Sequence, residues 1–95
     1  MQLKWTDLAI ADLDHIEEYI SNENSPVVAI DVVINVIDSC ELILSDHPHA
    51  GRIGRVRETR ELVIDGVPFI VVYRVTHELQ ILRILQDAQQ SPALT

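Results

Sequence analysis

The first half of the chain carries its apolar residues at helical spacing. In residues 7–21 they lie three or four positions apart, at Ala9, Leu13, Ile16 and Ile20. Thr6 can cap the N-terminus of such a helix, and Asp7 falls in the first turn, where the helix dipole favours an acid. The pattern predicts an amphipathic helix over residues 7–21, ended by the polar residues 21–24.

The next segment, residues 26–45, is rich in valine and isoleucine, which by composition alone would favour a strand. Its polar residues do not alternate but are spaced by fours, threes and sevens, at Asp31, Asn35, Asp38 and Ser45. Ser25 and Pro26 supply an N-cap and a proline at the first helical position. We therefore expect a second helix of about five turns with a wide apolar face, ended by the turn at residues 47–51.

Three runs of β-branched and aromatic residues follow, at 59–64, 68–75 and 79–85. The connections between them are short, so neighbouring strands should be antiparallel. Residues 3–5 could add an edge strand that reaches the sheet through the helical pair. The order β-α-α-β-β-β in one domain, residues 1–95, predicts an α+β fold in which a small twisted antiparallel sheet carries the helical pair on one face.

The composition is that of an ordinary globular domain, with 47% hydrophobic and 23% charged residues among 95. No apolar run approaches the roughly 20 residues of a membrane span, and no signal-peptide pattern opens the chain, so we expect no membrane association. The single cysteine, Cys40, cannot form an internal disulfide, which fits a cytoplasmic protein.

The net charge of −8 is unevenly distributed. Residues 1–50 hold ten acids against Lys4 alone, a balance of −9, whereas residues 51–95 hold six arginines against five acids, a balance of +1. An acidic chain is a poor candidate for binding a phosphate backbone, yet its arginines are concentrated in one half. The net charge is therefore a weak guide to the partner.

Two histidines flank a proline, His47 and His49 around Pro48, a spacing that metal ligands also show. No further cluster of cysteine or histidine lies nearby in the sequence, so the segment is better interpreted as a helix-terminating turn. We expect neither a metal nor a cofactor.

The ordered set of motifs resembles the RelE/ParE family of type II toxins. It comprises Trp5-Thr6 before the first helix, GRIGRV at 51–56, TRELV at 59–63, PFIVVYRV at 68–75 and ILRIL at 81–85. The resemblance covers nearly the whole chain. It implies a small cytoplasmic toxin that inhibits growth and is held inactive by a cognate antitoxin, through which alone it would contact operator DNA.

The resemblance implies two possible targets, because RelE-like members cleave messenger RNA in the ribosome whereas ParE-like members inhibit DNA gyrase. RelE-like nucleases carry an arginine early in the strand that matches residues 69–71, which are apolar here. Many also have a histidine where Gln86 stands and a tryptophan where Ser91 stands. Glutamine cannot perform acid–base catalysis. We therefore favour a gyrase inhibitor that is not an enzyme. The alternatives are a nuclease and a degenerate toxin that retains only antitoxin binding.

The candidate site for target or antitoxin consists of the arginines and two aromatic residues: Arg52, Arg55, Arg57, Arg60, Arg74, Arg83, Phe69 and Tyr73. In the nuclease alternative, the cations that stabilise the transition state would be Arg52, Arg55, Arg60 and Arg83. The arginines at 52–60 could instead pair with Glu58 or Glu61. For Arg74 and Arg83, salt bridges to the acidic helices are the favoured interpretation.

The predicted strands at 62–64 and 69–75 are hydrophobic at consecutive positions, more than a sheet with one solvated face requires. In a member of this family the antitoxin would cover the second face with a helix or an added strand. We expect the isolated chain to be poorly behaved and its partner to make it soluble.

Overall fold

The structure is a computed structural model that describes residues 1–86. In chain order its elements are β1 (Leu3–Trp5), α1 (Asp7–Glu23), α2 (Pro26–Ser39), a π-helical turn (Cys40–Leu44), β2 (Arg52–Ile53), β3 (Arg60–Val63), β4 (Phe69–Val75) and β5 (Leu79–Gln86). Both predicted helices, the possible edge strand and the three predicted strands are present. The short strand β2 was not predicted.

Helix α1 begins where the sequence predicts, because the Thr6 hydroxyl accepts a hydrogen bond from the backbone N–H of Ala9 at 3.2 Å. It ends two residues later than predicted. The N–H of Asn24 still donates to the carbonyl of Ile20 at 2.8 Å, so the polar residues continue the last turn instead of interrupting it.

Helix α2 confirms that periodicity outweighs the strand propensity of valine and isoleucine in this segment. The Ser25 hydroxyl accepts from the N–H of Val28 at 3.2 Å, and Pro26 occupies the first turn. The predicted five-turn helix differs at its end, since the π-helical turn follows α2. This turn places both Cys40 and Leu44 in the core, each fully buried.

The five strands form one sheet in the order β1-β5-β4-β3-β2. Strands β2 to β5 pair antiparallel, as the short connections predict, whereas β1 pairs parallel with β5, Leu3 opposite Leu79. The parallel pair follows from the crossover through α1 and α2. A bulge at Leu82 shifts the β4–β5 register between Val72, opposite Arg83, and Tyr73, opposite Ile81.

The core lies between the helical pair and one face of the sheet. Helices and sheet contribute the buried side chains Ala9, Leu13, Ala29, Val36, Val71, Tyr73, Ile81 and Ile84. Strand alternation directs Val63, Ile70 and Val72 to the opposite face, which is the second apolar face expected from the sequence. Ile70 and Val72 are buried and Val63 is exposed. In the described part of the chain, no helix combines the length and the hydrophobicity needed to cross a membrane.

Candidate functional site

The arginine-rich segment, residues 52–60, is a structured hairpin, which we call the arginine hairpin. The Glu61 carboxylate, only 5% exposed, organises it. Its Oε1 accepts from Arg52 Nη2 at 3.1 Å and lies 3.5 Å from Arg55 Nη2, while its Oε2 accepts from the backbone N–H of Arg55 at 3.2 Å. A buried carboxylate is costly unless it is paired, so these contacts hold Arg52 and Arg55 close to Glu61.

The far end of the arginine hairpin is closed by a tight turn. Gly54 N–H donates to the Thr59 carbonyl at 2.8 Å, and the N–H and hydroxyl of Thr59 both donate to the Val56 carbonyl, at 3.2 and 2.6 Å. A Cβ atom on Gly54 would collide with the Thr59 hydroxyl, so the close approach requires glycine. Glu58 adopts φ = 66°, a conformation that L-residues rarely adopt. These contacts close the turn of the hairpin.

The base of the arginine hairpin is attached to the core through Tyr73. The N–H of Gly51 donates to the Tyr73 hydroxyl at 2.8 Å, and a Cβ atom at Gly51 would lie 2.7 Å from that oxygen. Arg60 Nη1 donates to the carbonyl of Gly51 at 2.9 Å and to that of His49 at 3.4 Å. Burial raises the pKa of Tyr73, an effect that the Gly51 N–H and the Arg60 charge partly oppose.

The exposed surface of the arginine hairpin combines cations with aliphatic side chains. Arg57 is exposed and forms no ion pair with any residue among 1–86. Ile53 and Val56 are 79% and 65% exposed, between the arginines. The sequence analysis did not include these two residues in the candidate site. A signal was present in GRIGRVR: apolar residues between arginines in a charged loop do not follow the periodicity of a core, which indicates that they are exposed.

Arg83 lies apart from the arginine hairpin and pairs with helix α1. Its Nε and Nη2 donate to Oδ2 and Oδ1 of Asp12 at 2.8 and 3.0 Å, and this hydrogen bonding raises the pKa of Arg83. Asp12 Oδ2 also accepts from the N–H of Ile84 at 2.9 Å, on β5 past the end of β1. The salt bridge to an acidic helix is thus present for Arg83. For Arg74, which is half-buried, residues 1–86 supply no such partner.

The two aromatic residues of the predicted site do not lie on the surface. Phe69 is buried and Tyr73 is fully buried, both in the core cluster. Neither side chain is accessible to a partner in this structure, so we correct their assignment as contact residues to core packing. The structure brings together Arg52, Arg55, Arg57 and, at the base, Arg60, whereas Arg74 and Arg83 lie on other strands.

The positions that would carry nuclease groups are apolar or amide. Phe69, Ile70 and Val71 are buried in β4, and Gln86 ends β5. Ser91, the other departure noted in the sequence, lies outside the described residues. Within residues 1–86, no group of three or more His, Cys, Asp or Glu side chains is placed to hold a metal ion.

The comparisons with known proteins agree with one another. The sequence model of the ParE toxin of the type II toxin–antitoxin system parDE matches residues 3–91. The candidate toxin Y4kP of Sinorhizobium fredii (strain NBRC 101917 / NGR234) is 35% identical over 91 residues, which are 96% of this chain and 93% of that protein.

A solved structure of the chromosomal ParDE toxin–antitoxin system from P. aeruginosa contains a chain that is 34% identical to this one. The two superimpose with a TM-score of 0.84, and the match covers 90% of this chain and 95% of the other. Sequence, fold and extent of the match therefore lead to one conclusion: the chain belongs to the ParE toxin family of type II toxin–antitoxin systems.

Proposed function

We propose that this toxin arrests growth by inhibiting DNA gyrase through protein–protein contact, and that a cognate antitoxin neutralises it. The observation that carries the proposal is the start of β4, where a RelE-like nuclease would hold a catalytic arginine. Here Phe69, Ile70 and Val71 are all buried apolar residues. Membership of the ParE family supports the same target.

The chemistry of RNA cleavage also argues against a nuclease. Attack by a 2′-hydroxyl needs one group that accepts its proton and another that protonates the leaving oxygen. The arginines supply positive charge, but a guanidinium is not deprotonated in proteins and cannot act as the base. Gln86, at the end of β5, is no acid or base either. Binding by surface complementarity requires no such groups.

The partner that we propose for regulation is the antitoxin of the same module. The matched structure from P. aeruginosa is described as a ParDE toxin–antitoxin system, so a corresponding antitoxin is the natural inhibitor of this chain. We propose that contact with operator DNA occurs only through that antitoxin.

The direct test is a supercoiling assay with purified DNA gyrase, relaxed plasmid and ATP. We expect the toxin to reduce supercoiling in a dose-dependent manner and the antitoxin, added beforehand, to restore it. A heat-unfolded sample of the same chain is the control. Full supercoiling activity at toxin concentrations well above that of gyrase would reject the proposal.

Induction of the toxin in cells separates the alternatives. Cleaved messages without a DNA-damage response would favour a ribosome-dependent nuclease that uses the arginines. Normal growth in the absence of antitoxin would indicate a degenerate toxin that retains only antitoxin binding.

A further inference from the structure

Two large aliphatic side chains of the arginine hairpin are exposed without any role in the core. Ile53 and Val56 are 79% and 65% exposed and do not belong to the core cluster or to the residues packed against it. Single exposed aliphatic residues are normal on protein surfaces. These two differ because they lie three positions apart on a hairpin whose backbone is hydrogen-bonded to the Glu61 carboxylate at Arg55 and to the Thr59 carbonyl at Gly54.

Along the chain, these residues are interspersed with arginines. Arg52 and Arg55 keep 56% and 34% of their side-chain surface exposed although both contact Glu61, and Arg57 is exposed in the adjacent turn. Ile53 lies on β2, which is one of the two edge strands of the sheet. Exposed aliphatic side chains and arginines within one hairpin match the composition of protein-binding hot spots, which combine apolar anchors with arginine.

We propose that the arginine hairpin docks onto an acidic protein surface, with Ile53 and Val56 as its apolar anchors and Arg52, Arg55 and Arg57 pairing with surrounding carboxylates. The inference rests on the proposed function in one respect, that the target is a protein. It goes further by assigning the target contact to one hairpin and to two aliphatic residues, and by leaving Arg60 and Arg83 with structural roles.

A nucleic acid fits this surface less well than an acidic protein. Binding to DNA or RNA depends mainly on neutralising phosphates, and single-stranded bases stack on aromatic side chains. The arginine hairpin, residues 52–60, contains no aromatic residue, and the chain as a whole carries a net charge of −8. Ile53 and Val56 would gain little from a phosphate backbone, whereas an apolar recess in a protein would bury them.

A rigid hairpin also favours specific docking. Its conformation is already defined by the Glu61 carboxylate, the Thr59–Val56 hydrogen bonds and the Gly51–Tyr73 attachment. Less conformational entropy is therefore lost when it binds than for a flexible loop of equal length.

The test compares the double variant Ile53→Ala/Val56→Ala with the single variant Val27→Ala. Val27 lies on α2, is 69% exposed and serves as a control for the loss of an exposed aliphatic side chain elsewhere on the surface. A second pair is Arg57→Glu against Lys4→Glu, because Arg57 forms no ion pair among residues 1–86 and can be reversed without breaking one. Thermal unfolding by circular dichroism establishes that each variant is folded.

Two readouts are used, inhibition of purified DNA gyrase and growth arrest after induction. We expect the concentration for half-inhibition to rise at least about tenfold for Ile53→Ala/Val56→Ala and for Arg57→Glu, with the two controls close to wild type. Growth arrest should likewise weaken for the two hairpin variants and stay close to wild type for the two controls. Folded hairpin variants that arrest growth and inhibit as strongly as the wild type would overturn the inference.

The two proposals fail in distinguishable ways. If the wild type leaves gyrase unaffected, the proposed function fails, but loss of growth arrest in the hairpin variants would still support the docking surface. A fluorescent DNA duplex and a single-stranded RNA serve as nucleic-acid probes. Binding to either that Arg57→Glu abolishes and Ile53→Ala/Val56→Ala leaves intact would overturn the assignment to an acidic protein.

Discussion

At the scale of single residues, the buried carboxylate of Glu61 determines how the arginines are presented. It converts Arg52 and Arg55 from flexible loop cations into side chains with fixed positions. Glu61 was one of the two ion-pair partners that the sequence suggested for these arginines. Its burial could not be predicted, because it depends on the pairing of Arg52 with Glu61 across β2 and β3, a register that is not encoded in any local pattern.

We expect Glu61→Gln to lower the free energy of unfolding by about 1–2 kcal/mol, because an amide replaces a carboxylate that accepts charged hydrogen bonds in a buried position. Chemical denaturation measures the change. The control is Glu58→Gln in the same hairpin, an exposed acid whose replacement should alter stability by less than about 0.5 kcal/mol. Equal effects of the two substitutions would contradict the organising role of Glu61.

Cys40 illustrates a residue whose chemistry is suppressed by its position. It is fully buried, and burial, with a smaller contribution from the nearby Glu41 charge, raises its pKa from 9.0 to about 12. Because the folded-state pKa is the higher one, the stability that the neutral thiol contributes is complete below about pH 9 and declines as the pH rises towards 12. The thiolate is therefore scarce in the folded chain at neutral pH.

We expect iodoacetamide at pH 8 to modify Cys40 at least about a hundredfold more slowly in the folded chain than in guanidinium chloride, since labelling must await opening of the core. Mass spectrometry follows the reaction. Rapid labelling without denaturant would show that the π-helical turn after α2 is not packed as described.

At the scale of elements, the helices were the most predictable part. Periodicity alone located α1 and α2, and Thr6 and Ser25 act as the caps that their side chains suggest. The π-helical turn and the bulge at Leu82 could not be anticipated. Strand β2, with only two residues, forms through its pairing with β3 and carries too short a pattern to be recognised in the sequence.

Asp12 connects two elements that the sequence separates by about seventy residues, α1 and β5. Asp12→Asn removes the charge opposite Arg83 but keeps an acceptor for the Ile84 N–H, so we expect a loss of about 0.5–1 kcal/mol in the free energy of unfolding. Asp12→Ala also leaves that amide without its acceptor, and a total loss of about 2 kcal/mol should follow.

Denaturation of these variants beside Asp14→Ala provides the check. Asp14 is an exposed acid on the same helix, and its replacement should change stability by no more than about 0.5 kcal/mol. If Asp12→Asn and Asp12→Ala are equally stable, the hydrogen bond from the Ile84 N–H to Asp12 does not stabilise the fold.

At the scale of the whole molecule, the sequence predicted the layers of the fold but not which of the candidate site residues are buried. The four arginines of residues 52–60 lie in one hairpin, while Phe69 and Tyr73 are core residues, because strand alternation directs them towards the helices. Apolar residues at consecutive positions in a strand do not reveal which of them face a partner. Ile53 and Val56 were missed for the opposite reason, since they belong to no predicted strand or helix.

The exposed aliphatic surface of the whole molecule determines how the isolated chain behaves in solution. Besides Val63 on the sheet, α2 exposes aliphatic residues to solvent, with Ile30 and Ile34 both about half exposed on the side away from the buried Ala29 and Val36. Exposed aliphatic groups one turn apart on a helix promote association between copies. We therefore expect the purified chain without a partner to self-associate at micromolar concentrations.

Sedimentation velocity of Ile30→Lys/Ile34→Lys tests this expectation. The double variant should shift the distribution towards monomer, although it moves the net charge from −8 to −6 and so weakens the general repulsion that opposes association. Asn22→Lys, an exposed polar position on α1, changes charge without removing aliphatic surface and should leave the association intact. If the control disperses the chain as well as the double variant does, the added positive charge and not the loss of aliphatic surface governs the association. A wild-type chain that is monomeric throughout would contradict the expectation altogether.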